Sequence, residues 1–268
     1  MTAQAAQAAQ FRALHESFLI LPNAWDAASA RVIKEAGAKA VATSSAAVAW
    51  AHGYADGHHF PVAKLVAVVE EIARAVDAPI TADAEGGYDD DVAKVAENVR
   101  ALIGAGAVGI NLEDGKKPHE LHLRKIEAAR EAAAKAGVGL FINARTDVYL
   151  KQLAPAETAV QETLRRAAAI RAAGACGLFV PAIVEPDDIK AVAEGAGLPL
   201  NVMARPGLPD AAALKALGVK RLSAATAVFN AAMAAAHDAT AAFIESGDSD
   251  ALWARRGNPL DYNKLFNG

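Results

Sequence analysis

Short apolar runs alternate with longer alanine-rich stretches along the chain, and this alternation constrains the fold more than any other feature. Each run is short enough for a buried strand, and most follow a glycine or proline that ends the preceding stretch. The predicted strands cover 19–24, 40–45, 79–85, 109–114, 140–145, 177–182, 198–203 and 220–225. The predicted helices between them include 61–77, 89–104, 119–136, 156–173 and 209–217.

Strands that alternate with helices form a parallel sheet, which either closes into a barrel or stays open as a doubly wound sheet. In an open sheet, ligand-binding residues concentrate at one switch point, whereas all strand ends of a barrel converge on one mouth. Here nearly every predicted strand ends in polar residues, so the pattern favours a (β/α)8 TIM-type barrel over the doubly wound alternative. These residues are Asn23, Ser44, Asp83, Glu85, Glu113, Asp114, Arg145, Asp147, Asn201 and Arg205.

The length of 268 residues is one that α/β barrels commonly reach as a single unit. We therefore expect one barrel domain over 1–268. An N-terminal helix within 1–17 is expected to close the bottom of the barrel, and 226–246 reads as one long alanine-rich helix. The tail 248–268 has apolar anchors but little barrel periodicity, so we expect it to lie at an interface.

Composition excludes several classes of protein. Hydrophobic residues make up 53% of the chain, but no charge-free stretch approaches the ~20 residues that span a bilayer, and a secretory signal is lacking. The net charge of −4 comes from interspersed acids and bases, which argues against nucleic-acid binding. The single cysteine excludes an intrachain disulfide and fits a reducing compartment. We expect a cytoplasmic protein with neither membrane nor nucleic-acid partners.

Three carboxylates follow two neighbouring predicted strands. Asp83 and Glu85 are two residues apart, so both are expected to face the barrel mouth, and Glu113 ends the next strand. Acids gathered in this way repel one another unless a cation lies among them. Oxygen ligands favour a hard ion such as Mg²⁺. The sequence thus predicts a Mg²⁺ site, and the alternative is that these acids are helix caps and surface charges.

Two further strand ends suggest groups that bind anions. Arg145 follows the fifth predicted strand, where its guanidinium could pair with a carboxylate or phosphoryl group. The equally weighted alternative is an ion pair with Asp147 or Glu113. Residues 43–46 close the second strand, and backbone amides at such a turn could hold a substrate carboxylate.

Two other patterns are interpreted structurally. The glycines of GAGAVG at 104–109 end a helix and lead into a strand, the reverse of the order in a dinucleotide-binding fingerprint. His119 and His122 are three residues apart near a helix start, but no third ligand is evident. We expect these histidines to be a surface pair.

Taken together, the segments LPNAWDAASARVIKEAG, TADAEGGY, NLED, NARTD and PLNVMARPG resemble the isocitrate lyase/phosphoenolpyruvate mutase superfamily. The resemblance covers most of the chain. It implies a (β/α)8 barrel, Mg²⁺, and a substrate that passes through the enolate of a 2-oxo acid. It also implies a homodimer or homotetramer in which the last barrel helix is swapped between subunits.

The resemblance assigns roles to individual positions. Asp83, Glu85 and Glu113 match the metal-site acids, some of which act through bound water. Asp56 matches a catalytic aspartate, and Arg145 matches the arginine that faces the leaving portion of the substrate. The group that holds the oxo-acid carboxylate is matched by Ser44 with the amides of Ser45 and Ala46.

The chain also departs from the family pattern. The lyases carry a cysteine in the loop after the fourth strand, whereas this chain reads EDGKKPHELH there. The sole Cys176 precedes the sixth strand, on the opposite face of a barrel. The asparagine-bearing loop of the mutases is absent, and Pro181 stands where the mutases have a histidine.

These observations favour a Mg²⁺-dependent lyase that cleaves a carbon–carbon bond next to a 2-oxo-acid enolate. Decarboxylation of an oxaloacetate-like substrate is the simplest case. The alternatives are phosphorus–carbon chemistry on a phosphoenolpyruvate-like or phosphonopyruvate-like compound, and a non-catalytic protein that binds 2-oxo acids.

Overall fold

The structure is a computed structural model that describes residues 2–257 and 260–266. Nine strands all pair in parallel. They are β1 (Leu19–Leu21), β2 (Asn23–Ala24), β3 (Val41–Thr43), β4 (Ile80–Asp83), β5 (Gly109–Glu113), β6 (Phe141–Arg145), β7 (Gly177–Phe179), β8 (Leu200–Met203) and β9 (Arg221–Ser223). Their order in the sheet is β1-β9-β8-β7-β6-β5-β4-β3-β2.

The two outermost strands of this order, β1 and β2, together form one strand position of the barrel. Only Pro22 separates β1 from β2, and β1 pairs with β9 while β2 pairs with β3. The segment that contains β1 and β2 therefore closes the sheet into a barrel with eight strand positions. The predicted (β/α)8 barrel is confirmed, and the doubly wound alternative is wrong.

Helices surround the strands. They are α1 (Ala3–Leu14), α2 (Ala27–Glu35), α3 (Ser45–Ala51), α4 (Val62–Ala75), α5 (Val92–Gly104), α6 (His119–Ala136), α7 (Ala159–Ala172), α8 (Pro186–Gly195), α9 (Ala211–Ala216), α10 (Ala227–Ser246), α11 (Ser249–Ala254) and α12 (Tyr262–Phe266). A short 3-10 turn, Ala156–Thr158, precedes α7. Within the described ranges, no helix combines the length and apolar character needed to cross a bilayer.

Helix α1 packs across the N-terminal end of the barrel. The Phe11 side chain is fully buried there and meets the ring of Phe141 edge-on, with ring centres 5.5 Å apart. A Cβ atom at Gly109 would lie 2.8 Å from the Phe11 ring, which is too close for any side chain. The last glycine of GAGAVG is therefore required for the close approach of α1 and β5.

The interior of the barrel contains a polar layer below the mouth. Asn143 Nδ2 donates to Asn111 Oδ1 at 2.9 Å, and Arg221 Nη2 lies 3.4 Å from the same oxygen. Arg221 is 1% exposed, and its Nε and Nη1 have no hydrogen-bond partner among the described residues. Burial lowers the pKa of Arg221 to about 9, although Asp83 acts in the opposite direction. A buried positive charge thus lies near the acids of the mouth.

The C-terminal helices pack little against the barrel. Of the residues in α10, only Phe229 is buried, and Ile244 is 79% exposed. In the following tail, Trp253 is 62% exposed. Met1, at the start of the predicted 1–17 helix, and residues 258–259 and 267–268 of the predicted 248–268 tail lie outside the described residues.

Candidate active site

A cavity of about 200 Å³ opens at the carboxyl ends of the strands, the usual position of active sites in such barrels. The strand register explains its composition, because Asp83 lies beside Asn111 and Glu113 lies beside Arg145 on neighbouring strands. We call it the mouth cavity. Its lining residues are Asn23, Ser44, Ser45, Ala46, Asp56, Asp83, Asn111, Arg145, Leu150, Phe179, Met203, Ser223, Ala225 and Thr226.

Asp83 ends β4 and offers one unengaged oxygen in this cavity. Its Oδ2 accepts hydrogen bonds from the Ser45 backbone N–H at 3.1 Å and from the Ser45 hydroxyl at 2.9 Å. Its Oδ1 is buried and has no partner in the part of the chain that the structure describes, and the same is true of Asn23 Oδ1. Buried polar atoms without partners are costly. Two such oxygens in one cavity fit the hard donors that Mg²⁺ prefers.

Arg145, at the end of β6, pairs with two acids at the wall of the cavity. Its Nη1 lies 2.7 Å from Glu113 Oε2, and its Nε donates to Asp147 Oδ1 at 2.7 Å. Nη2 donates to Asp147 Oδ2 at 3.2 Å. Both ion pairs suggested by the sequence are therefore present, and Arg145 also lines the cavity. These three contacts use three of the five N–H groups of a guanidinium, which leaves one on Nη1 and one on Nη2.

The electrostatics of this group follow from burial and from close charges. Burial raises the pKa of Glu113 to about 7, against the opposing effect of Arg145. Burial alone would lower the pKa of Arg145, but Glu113 and Asp147 together raise it above its ordinary value. Lys151 Nζ lies 2.9 Å from Asp147 Oδ2. Arg145 therefore stays charged while Glu113 can exchange a proton near neutral pH.

Glu85 lies apart from the mouth cavity. It follows the end of β4 by two residues and has a φ of 46°, so the alternation of side chains along a strand no longer applies to it. Its Oε2 accepts a hydrogen bond from the backbone N–H of His58 at 2.5 Å. Burial, followed by the nearby charge of Asp83, raises the pKa of Glu85 to about 7.

This raised pKa predicts that Glu85→Gln stabilises the metal-free protein more at pH 8 than at pH 5. Folding raises the pKa of Glu85 from 4.5 to about 7, so its contribution to wild-type stability is present below pH 4.5 and is lost as the pH rises through 7. Glutamine does not titrate, and the gain should reach on the order of 2 kcal/mol at pH 8. Thermal melts in EDTA at both pH values measure the difference. An equal change in Tm at the two pH values would contradict the assignment.

The residues that close the second predicted strand form the start of a helix that the sequence did not predict. Ser44 caps α3, and its hydroxyl accepts from the Ala47 N–H at 3.4 Å. Because the amide and hydroxyl of Ser45 both donate to Asp83, they are already engaged. The Ser44 hydroxyl hydrogen and the Ala46 N–H are the groups that remain for a ligand.

The structure thus brings six of the eight predicted site residues around the mouth cavity, and it places the other two beside it. Glu113 forms an ion pair with Arg145, which lines the cavity. Glu85 lies against the loop that carries Asp56 and His58. Sequence reasoning did not single out Phe179, Met203 and Ser223 of the cavity wall. They lie within the predicted strands six to eight, but a search for polar strand ends could have found only Ser223.

A second cavity, of about 560 Å³, adjoins Glu113 and is rich in lysine. The Lys125 side chain is 5% exposed, and its Nζ donates to the Gly86 carbonyl oxygen at 2.7 Å. Lys117 and Lys125 both pair with Asp90. Four lysines and four acids line this cavity next to the mouth, so its charges are mixed. They are Lys116, Lys117, Lys125, Lys151, Asp89, Asp90, Glu113 and Asp114.

The interpretation of His119 and His122 as a surface pair is wrong. They are 7% and 1% exposed, because the first turns of α6 pack under the loop after β5. A third group that could bind a metal is present as well, since Asp114 lies beside both rings. Sequence spacing could not reveal this, because the contact depends on how α6 turns against the barrel.

The fold and this geometry define a (β/α)8 barrel protein whose mouth combines acidic side chains with a buried arginine. The chain belongs to the phosphoenolpyruvate phosphomutase family, whose model matches residues 11–244. It is thereby a member of the isocitrate lyase/phosphoenolpyruvate mutase superfamily, as its motifs predicted.

Similar proteins have varied activities. A crystal structure of a Burkholderia cenocepacia protein, provisionally described as a phosphonomutase, is 42% identical with a TM-score of 0.84 and covers 91% of this chain and 100% of its own. An uncharacterized protein of Mycobacterium tuberculosis is 34% identical over 83% of each chain. An oxaloacetate decarboxylase of Pseudomonas entomophila is 26% identical over 66% of this chain and 63% of its own. The family is therefore shown, and the reaction is a separate question.

Proposed function

We propose that this protein is a Mg²⁺-dependent lyase that cleaves the carbon–carbon bond next to a 2-oxo-acid enolate, with oxaloacetate-type decarboxylation as the simplest case. One observation carries the proposal. Asp83 and Arg145 line the same small cavity, and Asp83 has a buried Oδ1 without a hydrogen-bond partner among the described residues while Arg145 keeps two N–H groups free. A cation and an anionic group of one substrate can therefore be held within a single cavity.

The oxygen donors present fit Mg²⁺. Asp83 would bind the ion directly, while Glu85 and Glu113, which do not line the cavity, would act through bound water. When bound, Mg²⁺ supplies positive charge against the oxygen on which negative charge develops.

The protein groups would position a dicarboxylic 2-oxo acid between two anchors. The Ser44 hydroxyl and the Ala46 N–H would hold the carboxylate next to the oxo group. The guanidinium of Arg145, with its two free N–H groups, would hold the second carboxylate. Asp56, on the rim of the cavity, would organise water there. A substrate held in this way spans the cavity with its scissile bond at the centre.

Decarboxylation also agrees with the absence of a cysteine from the loop after β5. When the carbon–carbon bond breaks, its electron pair passes to the enolate, and the departing carboxylate leaves as CO2 without needing a proton. The enolate then takes one proton at carbon, which water can supply. The reaction therefore needs no acidic side chain from that loop.

The direct test follows pyruvate formation from oxaloacetate with Mg²⁺ and with EDTA, after subtraction of the rate without enzyme. We expect an enzyme-dependent rate that requires the metal, and the absence of such a rate would overturn the proposal. Calorimetry that showed tight binding of 2-oxo acids without turnover would instead support a non-catalytic binding protein.

Phosphorus–carbon chemistry is the second candidate, because the 42% identical protein of Burkholderia cenocepacia is provisionally described as a phosphonomutase. Phosphorus NMR of incubations with phosphonopyruvate distinguishes the two reactions. A carbon–carbon lyase leaves the phosphonate signal unchanged, whereas a mutase or hydrolase converts it.

We further propose that the protein is a homo-oligomer in which α10 packs against a second copy. The helix is rich in apolar residues and mostly exposed, with Met233 and Ile244 open to solvent, and an apolar surface of this kind is typical of an interface. Light scattering on the wild type should give a dimer or a larger species. The double variant Met233→Glu/Ile244→Glu should shift it toward monomer, whereas Ala134→Glu on the exposed face of α6 should not. A wild-type monomer at micromolar concentration would contradict this proposal.

A further inference from the structure

A cluster of three buried residues behind the mouth cavity is not used by the proposed reaction. His119 and His122 lie in the first turns of α6, and Asp114 follows β5 directly. One ligand atom from each lies within 4.8 Å of the others, and the three residues are 7%, 1% and 2% exposed, respectively. They are therefore close enough to share one ligand.

The orientation of His122 leaves a nitrogen lone pair facing no protein group. Its Nε2 lies 2.9 Å from the carbonyl oxygen of Leu112, which can only accept a hydrogen bond. Nε2 therefore carries the hydrogen, and Nδ1 carries the lone pair. Nδ1 is buried without a partner among the described residues. A backbone carbonyl that fixes the ring in this way is the usual support of a metal-binding histidine.

His119 has even fewer partners. Both of its ring nitrogens are buried and have none in the described ranges. Burial lowers the pKa of His119 and of His122, with positive charge from Arg166 adding to the effect on His119. Both rings are therefore neutral at pH 7, the form that binds metals.

The carboxylate of Asp114 is held in place by its own hydrogen bonds. Oδ2 accepts from the Thr146 hydroxyl at 2.6 Å and from Arg166 Nη1 at 2.7 Å, while Oδ1 accepts from the Asp147 N–H at 2.9 Å. Arg166 competes for this acid but also donates to Glu162. Oδ1 has one donor only, so it keeps a lone pair for a further ligand.

We propose that Asp114, His119 and His122 form a binding site for a transition-metal dication of the zinc type, separate from the oxygen-donor site at Asp83. Two imidazoles and one carboxylate suit Zn²⁺ or Co²⁺ and are poorly matched to Mg²⁺. Three protein ligands also leave a fourth position for water.

Such a metal would link the end of β5 to the start of α6. The loop between them, residues 115–118, carries Lys116 and Lys117 to the second cavity. Closing this loop with a metal would hold both lysines in place beside Glu113. The site is therefore inferred to order the loop, and it takes no part in the chemistry proposed at the mouth.

The test uses tag-free protein that has been stripped with EDTA and then titrated with Co²⁺. With excess Mg²⁺ present to compete for the oxygen-donor site, we expect one equivalent of Co²⁺ to bind with visible d–d absorption and to be displaced by Zn²⁺. His119→Ala and His122→Ala should lose the absorption. Asp83→Asn, which alters only the proposed Mg²⁺ site, should keep it, and so should the matched control His59→Ala on an exposed loop.

Thermal melts keep the test decisive where a variant folds poorly. Zn²⁺ should raise the Tm of the wild type by several degrees and leave folded His119→Ala unchanged. A wild type without d–d absorption or a Zn²⁺-dependent Tm shift would overturn the proposal. So would absorption that survives in both histidine variants. Because neither readout uses turnover, failure here leaves the proposed lyase activity untouched.

Discussion

Asp83→Asn should lower kcat/KM for Mg²⁺-dependent pyruvate formation by about 10³-fold, since a metal that stabilises developing charge contributes several kcal/mol. Asparagine keeps the shape of the side chain, and its oxygen can still accept from Ser45, so the barrel should fold as before. What the variant loses is the negative charge on the buried oxygen that has no partner in the described chain. Steady-state assays over a range of Mg²⁺ concentrations measure the effect.

The matched control is Asp210→Asn. Asp210 caps α9 by accepting from the Ala213 N–H at 2.9 Å, and asparagine caps helices equally well. The Asp210→Asn variant should therefore keep wild-type activity. If Asp83→Asn retained wild-type affinity for Mg²⁺ in calorimetry, the assignment of Asp83 as a direct ligand would be wrong.

Glu113→Ala should also weaken the binding of Mg²⁺ and 2-oxo acid.

Arg145→Ala should affect both stability and activity. The variant leaves Glu113 and Asp147 buried beside each other with only the more exposed Lys151 as a cation, and breaking a buried pair costs about 3–5 kcal/mol. Chemical denaturation with urea measures this loss. The same variant should lose most turnover of a dicarboxylic substrate, because the guanidinium that lines the cavity is gone.

A double variant separates the two roles of Arg145. Arg145→Met/Glu113→Gln removes the unpaired charge, and Asp147 keeps Lys151 at 2.9 Å, so most of the stability should return while activity stays low. Arg165→Ala is the surface control, because the Arg165 side chain is 59% exposed and exposed pairs contribute about 0–1 kcal/mol. Recovery of turnover in the double variant would show that Arg145 acts only as a structural ion pair.

Much of the architecture could be predicted because it depends on local patterns. Each of the eight predicted runs contains a strand, and the long helices 119–136 and 226–246 are found almost residue for residue. Helix α3 was not predicted, because its seven residues, SAAVAWA, show no alternation of polar and apolar residues at helical spacing. That Asp83 and Arg145 line the same cavity could be predicted, because closure of a barrel brings all strand ends to one mouth.

The orientation of individual side chains could not be predicted in the same way. Glu85 was expected to follow Asp83 into the mouth, but β4 ends at Asp83, and the left-handed backbone at Glu85 turns the side chain toward His58. His119 and His122 are buried because of the rotation of α6 about its axis. Both outcomes depend on tertiary packing that a spacing of two or three residues does not contain.

The buried guanidinium of Arg221 has a consequence for how the barrel folds. Its positive charge at neutral pH, together with that of Arg145, offsets repulsion among the acids of the mouth without a bound cation. We therefore expect the barrel to fold without a metal, in contrast to small zinc domains that unfold when the metal is chelated. On the proposed function, Mg²⁺ would then bind reversibly to a barrel that has already folded, at an occupancy set by the supply of the ion and of substrate.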